Sequence, residues 1–351
     1  MAYTTIDNPK IFQNSIIYTG NDGTRNITEA DTFQADLVWL KRRNDASSHY
    51  WVDSVRGATK SLSSNADSAQ ATESAGVTGF VTDGFSLGDQ GGYNNNGDTF
   101  VSWLWKAGTT GSGTTTGAGT GKAYSYSVNT TSGFSIVKYI GNLTAAHTIP
   151  HHLGVAPKMV ICKSISENRG WPIQHASLTS AAYSLFLSTT GAQANGSNSW
   201  NSTAASSSVV TLGNNESNNK NDDSYIMYSF AEKQGYSKFS SYIGNGNVNG
   251  TFVYTGFKPA FVLIKRAIGD AGEGWSIFDT ARSPFNKMVN ELRADVASAE
   301  STSNHTMEFY SNGFKIPRAG GGINTSGDTL IYMAFAEQPF VTSTGIPATA
   351  R

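Results

Sequence analysis

One phrase is written three times in this chain. It reads FQADLVWLKRR at 33–43, LGVAPKMVICKS at 153–164 and FKPAFVLIKR at 257–266. Each copy carries an apolar run into a lysine: Lys41, Lys163 and Lys265. The intervals are 163−41 = 122 and 265−163 = 102 residues. Self-similarity at such spacing marks a duplicated structural unit, and it constrains the fold before any local propensity does. Flanking phrases repeat with it. Tyr18-Thr19-Gly20, Tyr139-Ile140-Gly141 and Tyr242-Ile243-Gly244 open the units. An acidic turn and an aromatic strand close them, as GDTFVSWLWKAG (97–108), DDSYIMYSFAEKQ (222–234) and GDTLIYMAFAEQPF (327–340). Asp98, Asp223 and Asp328 correspond.

The longer first interval has a visible cause. Residues 107–122 read AGTTGSGTTTGAGTGK, the composition of a flexible spacer. The expected division is therefore an N-terminal arm at 1–10, a first repeat at 11–106, a Gly/Thr-rich linker at 107–132, repeats at 133–235 and 236–341, and a tail at 342–351. Without a spacer between them, the second and third repeats should pack on each other more tightly than on the first.

DLVWLK, KMVICK and AFVLIK are short apolar runs bounded by turn residues, the signature of central strands. TFVSWLW alternates, with Phe100, Ser102 and Leu104 on one face and Val101, Trp103 and Trp105 on the other. Asn-Gly and Asp-Gly turns recur, and charged residues make up only 15% of the chain, with Gly, Ser, Thr and Asn in their place. Helix signals are weak: 63–74 and PFNKMVNELRADVAS (284–298) hold a turn or two at most. The fold class expected is all-β, three tandem antiparallel β-sandwich repeats of jelly-roll or concanavalin type, about 100 residues each. The alternative is one elongated stack of merged sheets.

Net charge is −1 and no basic stripe exists, so nucleic acid is not an expected partner. The single cysteine, Cys162, lies in an apolar run and reads as a small buried hydrophobe. MAYTTIDNPK has neither the charged nor the apolar region of a signal peptide, and no apolar run reaches membrane-spanning length. No nucleophile elbow, phosphate loop, zinc motif or paired carboxylates appear, so neither enzymatic activity nor a cofactor is expected. His147, His151, His152 and His175 cluster in the second repeat, but Pro150 interrupts their strand and no Cys or carboxylate is interleaved, so no metal site is expected.

Two charged pairs match across repeats: Asp53 with Arg56, and Asp279 with Arg282. The second repeat has His175 and Leu178 instead. Charges that vanish from one copy read most simply as internal pairs that fix a loop beside the lysine strand. Trp51, Trp171 and Trp275 precede those positions and read as recurring core or inter-repeat contacts. Trp200 stands among polar residues in NGSNSWNSTAASSS. It is the candidate for stacking on a sugar ring, with Trp171 and Trp275 as further aromatic candidates, against the plainer reading of a loop anchor.

FQADLVWLKRR, WVDSVRGATKSLSSN, VTDGFSLG, DTFVSWLWKAG, LGVAPKMVICKS, FAEKQGYSKFSSYIGNG, FVYTGFKPAFVLIKR, SNGFKI, DTLIYMAFAEQPF and GIPATAR together span roughly 11–351. With them the chain resembles a family of tandem-repeat, β-rich phage virion proteins of marine and cyanobacterial phages. The resemblance implies a virion structural protein, a tail fibre or receptor-binding component that adheres to a host-surface glycan or protein. A capsid decoration protein, a head fibre or cement, is the alternative. It implies other virion proteins, of tail or capsid, as partners, homo-oligomers with trimers common among fibres, and synthesis in the host cytoplasm before assembly on the particle surface. The second repeat departs most from the family's phrases, which would make its surface the specialised one.

Overall fold

The computed structural model describes residues 2–29, 33–303 and 305–348. The first region contains β1 (Gln13–Thr19), β2 (Arg25–Thr28), β3 (Leu37–Arg42), β4 (Tyr50–Asp53), β5 (Lys60–Ser63), β6 (Ala71–Thr72), β7 (Val77–Val81), β8 (Gly84–Leu87) and β9 (Thr99–Trp105). The second contains β10 (Thr109–Thr114), β11 (Thr116–Gly117), β12 (Ala123–Asn129), β13 (Phe134–Ile140), β14 (His147–Pro150), β15 (Met159–Ser164), β16 (Pro172–His175), β17 (Tyr183–Phe186), β18 (Ala194–Asn195), β19 (Val209–Leu212) and β20 (Ser224–Phe230). The third contains β21 (Ser237–Ile243), β22 (Phe252–Tyr254), β23 (Phe257–Ile268), β24 (Ser276–Asp279), β25 (Leu292–Arg293), β26 (Glu308–Tyr310), β27 (Gly313–Lys315) and β28 (Thr329–Pro339). The protein is all-β, as expected, and its sheets are antiparallel.

Three large sheets carry the fold. Their strand orders are β1-β9-β3-β4-β5-β6, β10-β12-β13-β20-β15-β16-β17-β18 and β21-β28-β23-β24-β25. In each, the closing aromatic strand lies between an opening strand and the lysine strand. The registers match as well: Trp39 faces Trp51, Ile161 faces Ile173, and Leu263 faces Ile277. Three smaller sheets, β2-β8-β7, β11-β14-β19 and β22-β27-β26, accompany them.

Alternation along the lysine strands decides where the core sits. Leu37 and Trp39, Met159 and Ile161, and Phe261 and Leu263 all enter one shared cluster. Their neighbours turn the other way: Val38 and Leu40, Val160 and Cys162, and Val262 and Ile264 enter three separate clusters, each between one large and one small sheet. The closing strand β9 divides as its sequence alternation predicts, with Val101, Trp103 and Trp105 in the shared core and Phe100 and Leu104 outside it. The shared core is dense in rings. Trp39 lies 4.6 Å from Trp51 and 5.1 Å from Trp103, and Trp51 lies 5.4 Å from Trp171 of the second region. Such aromatic pairs add about 0.5–1.5 kcal/mol each beyond their area burial.

The three large sheets meet around one core. Three expectations are corrected. The supposed linker is structured: β10 pairs with β12 along its whole length and β11 pairs with β14. Its glycines permit this, because Gly111 and Gly113 face Tyr126 and Tyr124, whose hydroxyls would lie 2.6 and 2.8 Å from an added Cβ. The supposed arm is tied down, with Ile6 in the shared core, Thr4 Oγ1 donating to Gln234 O at 2.9 Å and Tyr3 Oη donating to Gly256 O at 2.7 Å. Neither helical candidate forms; 284–298 holds only β25 and isolated bridges, and 63–74 holds the end of β5 and β6. The last residues of the tail, 349–351, lie outside the described residues.

Candidate functional site

The repeated charged residues lie inside the molecule, at the junctions between large sheets. Lys41, Lys163 and Lys265 share the inward face of their strands and are fully buried or nearly so. Each Nζ donates to loop carbonyls. Lys163 reaches Asp67 O at 2.9 Å in the first region and Arg169 O at 2.8 Å. Lys265 reaches Thr190 O at 2.8 Å in the second region, and Lys41 reaches Asp45 O at 3.3 Å. Burial pulls all three amines down to about 8.

The charged pairs are latches. Asp53 accepts from Arg56 Nε at 2.5 Å and from Tyr228 Oη of the second region at 2.8 Å. Asp279 accepts from Arg282 Nε at 2.6 Å and from Trp103 Nε1 of the first region at 3.0 Å. Arg282 also bonds Glu300, which in turn receives two hydrogen bonds from Arg43. Burial works against the Arg282 charge, but Asp279 and Glu300 more than offset it, so its pKa stands above the ordinary guanidinium value. In the second region His175 takes the aspartate's place and its ring contacts Tyr332 O of the third region at 3.3 Å. Burial depresses it to about 4, so it is neutral near pH 7. The Asp53–Arg56 and Asp279–Arg282 pairs and His175 are sealed from solvent and close the ring of sheets.

The tryptophan candidates are buried too. Trp200 is 0% exposed, ends the short helix Ser197–Trp200 and donates from Nε1 to Ser184 Oγ at 2.9 Å. Its polar sequence surroundings are the rim of a plug over the second sheet, and no face is left to stack on a sugar. Trp171 Nε1 donates to Ser63 O and Ala66 O of the first region, and Trp275 Nε1 to Phe186 O of the second. They are junction pins. Their partner in the first region is His49, four residues before Asp53, whose ring abuts the Arg293 backbone. Trp51 instead occupies the place of Ile173 and Ile277. Among the described residues no three His, Cys, Asp or Glu side chains are grouped to hold a metal ion. Burial holds the Cys162 thiol up at about 12.

The face that is both exposed and aromatic lies elsewhere. In the third small sheet Val253, Phe314 and Phe309 point inward as one cross-strand row. Two rows point outward: Phe252–Lys315–Glu308 and Tyr254–Gly313–Tyr310. Phe252 is 46% exposed and Tyr254 56%. Phe252 and Tyr310 meet edge to face at 6.1 Å. Gly313 lets the rings close over the middle strand, since an added Cβ would stand 3.0 Å from Phe252 and 2.1 Å from Val253 O. Lys315 Nζ donates to Asn249 Oδ1 at 2.5 Å, and Tyr310 Oη donates to Glu308. The result is a shallow aromatic shelf edged by an ammonium, a carboxylate and amides.

The first small sheet has the same grid. Ile27, Phe85 and Phe80 form one cross-strand row, while Asn26–Ser86–Gly79 and Thr28–Gly84–Val81 form the other two. The second small sheet turns Thr148 and Thr211 outward. Sequence reading missed the shelf because Thr-Phe-Val-Tyr-Thr reads as a core strand until Val253 is known to be its inward residue. The available signal was the alignment of Asn26-Ile27-Thr28 with Phe252-Val253-Tyr254.

The sequence model of the family described as Domain of unknown function (DUF7483) matches residues 8–339, and the chain belongs to that family. No curated protein matches it.

Proposed function

We propose that the chain is a virion structural protein of a phage, a tail-fibre or receptor-binding component that works by adhesion. The reading rests on the phrases that resemble tandem-repeat phage virion proteins and on one structural observation, the outward aromatic shelf of Phe252, Tyr254 and Tyr310, the first two at positions held by Asn26 and Thr28 on the matching first sheet. Exposed aromatic surface of this kind marks interaction sites. The C–H face of a sugar ring lies well on the negative face of an aromatic ring, while the flanking Lys315, Glu308 and Asn249 supply hydrogen bonds to hydroxyls. A host-surface glycan or protein loop is the ligand in this reading. A shallow shelf binds weakly, and many copies on one particle make weak contacts useful.

The fold belongs to the same proposal. Three β-sandwich repeats, 11–106, 133–235 and 236–341, wrap one core and leave their outer faces free to vary. Common strand order, common register and the equivalent lysines support it.

Immunogold electron microscopy of the virus particles with antibody against this chain tests the reading. Label on the tail is the expected result. Label over the head would replace adhesion by the capsid-decoration reading, and unlabelled particles would end both.

A further inference from the structure

The second large sheet ends on β10, and that edge is unlike the other long ones. On β1 the Ser15 N–H is capped by Asn14 Oδ1 at 2.9 Å and Thr19 O by Arg25 at 2.6 Å. On β21 the Phe239 N–H is capped by Glu232 at 3.2 Å and Ile243 O by Thr251 at 2.9 Å. Along 109–114 the backbone bonds only to β12, among the described residues. No charged residue stands between Lys106 and Lys122. Natural sheets guard such edges with charge, proline or bulges, because an open edge recruits another strand.

The sequence of the edge says which strand fits. Residues 110–114 read Thr-Gly-Ser-Gly-Thr, the same in both directions. Laid antiparallel on a second copy with Ser112 at the centre, Thr110 meets Thr114, Gly111 meets Gly113 and Ser112 meets itself. Thr–Thr and Ser–Ser pairs are favourable cross-strand contacts. On the other face Tyr126 and Tyr124 hang over the glycines, so their hydroxyls line the seam from both copies. A self-complementary strand generates a two-fold, isologous contact.

We infer that β10 is a homotypic docking edge, through which two copies of this chain join their eight-stranded sheets antiparallel about Ser112. The assignment is independent of what the aromatic shelf binds.

Sedimentation equilibrium of the full chain tests it. The wild type is expected to dimerise reversibly. Ser112→Lys places two ammonium groups directly opposite and should weaken association by about tenfold or more. Thr28→Lys, at an exposed position of a different sheet, should leave it unchanged. An equimolar mixture of Ser112→Lys and Ser112→Glu should restore the dimer. A monomeric wild type, a dimer indifferent to Ser112→Lys, or a mixture that stays monomeric would overturn the inference.

Discussion

Asn26 and Thr28 on the first small sheet stand where Phe252 and Tyr254 stand on the third. Behind those faces the two regions share one buried charge pair and one cross-strand grid. Asp53 with Arg56 and Asp279 with Arg282 make the same buried latch, each receiving a hydrogen bond from the closing strand of a neighbouring region. Gly84 and Gly313 occupy the same middle strand, and each would drive a Cβ into a neighbouring carbonyl at about 2 Å. The interior must satisfy packing and buried charge at once, which few residues do. The outer rows touch solvent, so their chemistry is free to follow a ligand.

The comparison breaks first where charge is buried. Asp53→Ala leaves the Arg56 charge without a carboxylate and the Tyr228 O–H without its acceptor, and should cost about 3–5 kcal/mol in denaturant unfolding; Asp279→Ala, where Glu300 still faces Arg282, should cost somewhat less. His175→Ala removes a neutral contact at the same place and should cost about 1 kcal/mol. Equal losses at all three would refute the latch.

Acid should act through the buried histidines, His175 first among them. The His175 pKa lies near 4 when folded and near 6.5 when unfolded, so the unfolded chain takes up the proton first. That stability is present above pH 6.5 and is lost as pH falls toward 4, amounting to at most about 3 kcal/mol. His49, His147 and His151, also lowered by burial, act in the same direction. His175→Asn should flatten the pH dependence of the urea midpoint; an unchanged slope would remove His175 from the account.

Gly84→Ala and Gly313→Ala should each cost about 1–3 kcal/mol, because the two sheets share a backbone grid. A tolerated alanine at one and not the other would show that the grids differ. Smallest in stability is the face itself: Phe252→Ala and Tyr254→Ala should each stay within about 0.5 kcal/mol of wild type in thermal unfolding.

Much of the interior was legible. The lysine strands, the alternation of 99–105 and the two charged pairs follow from period and repetition, which report burial directly. What was not legible depended on partners distant in sequence. The glycines of 107–122 looked flexible until the tyrosines of β12 covered them. Trp200 is the loop anchor of the plainer reading, but its polar neighbours also allowed a sugar-stacking role, because the residues that bury it, Val210 and Leu212, lie past the loop. The shelf was hidden because Phe and Tyr in a strand signal core, and only the inward row of Val253, Phe314 and Phe309 shows which way they turn.

Binding of the full chain to an array of bacterial surface polysaccharides tests the central claim most directly. The account predicts glycans bound by wild type and by Asn26→Ala/Thr28→Ala but lost by Phe252→Ala/Tyr254→Ala. Binding that survives the loss of both rings, or that fails equally when the first face is changed, would contradict it.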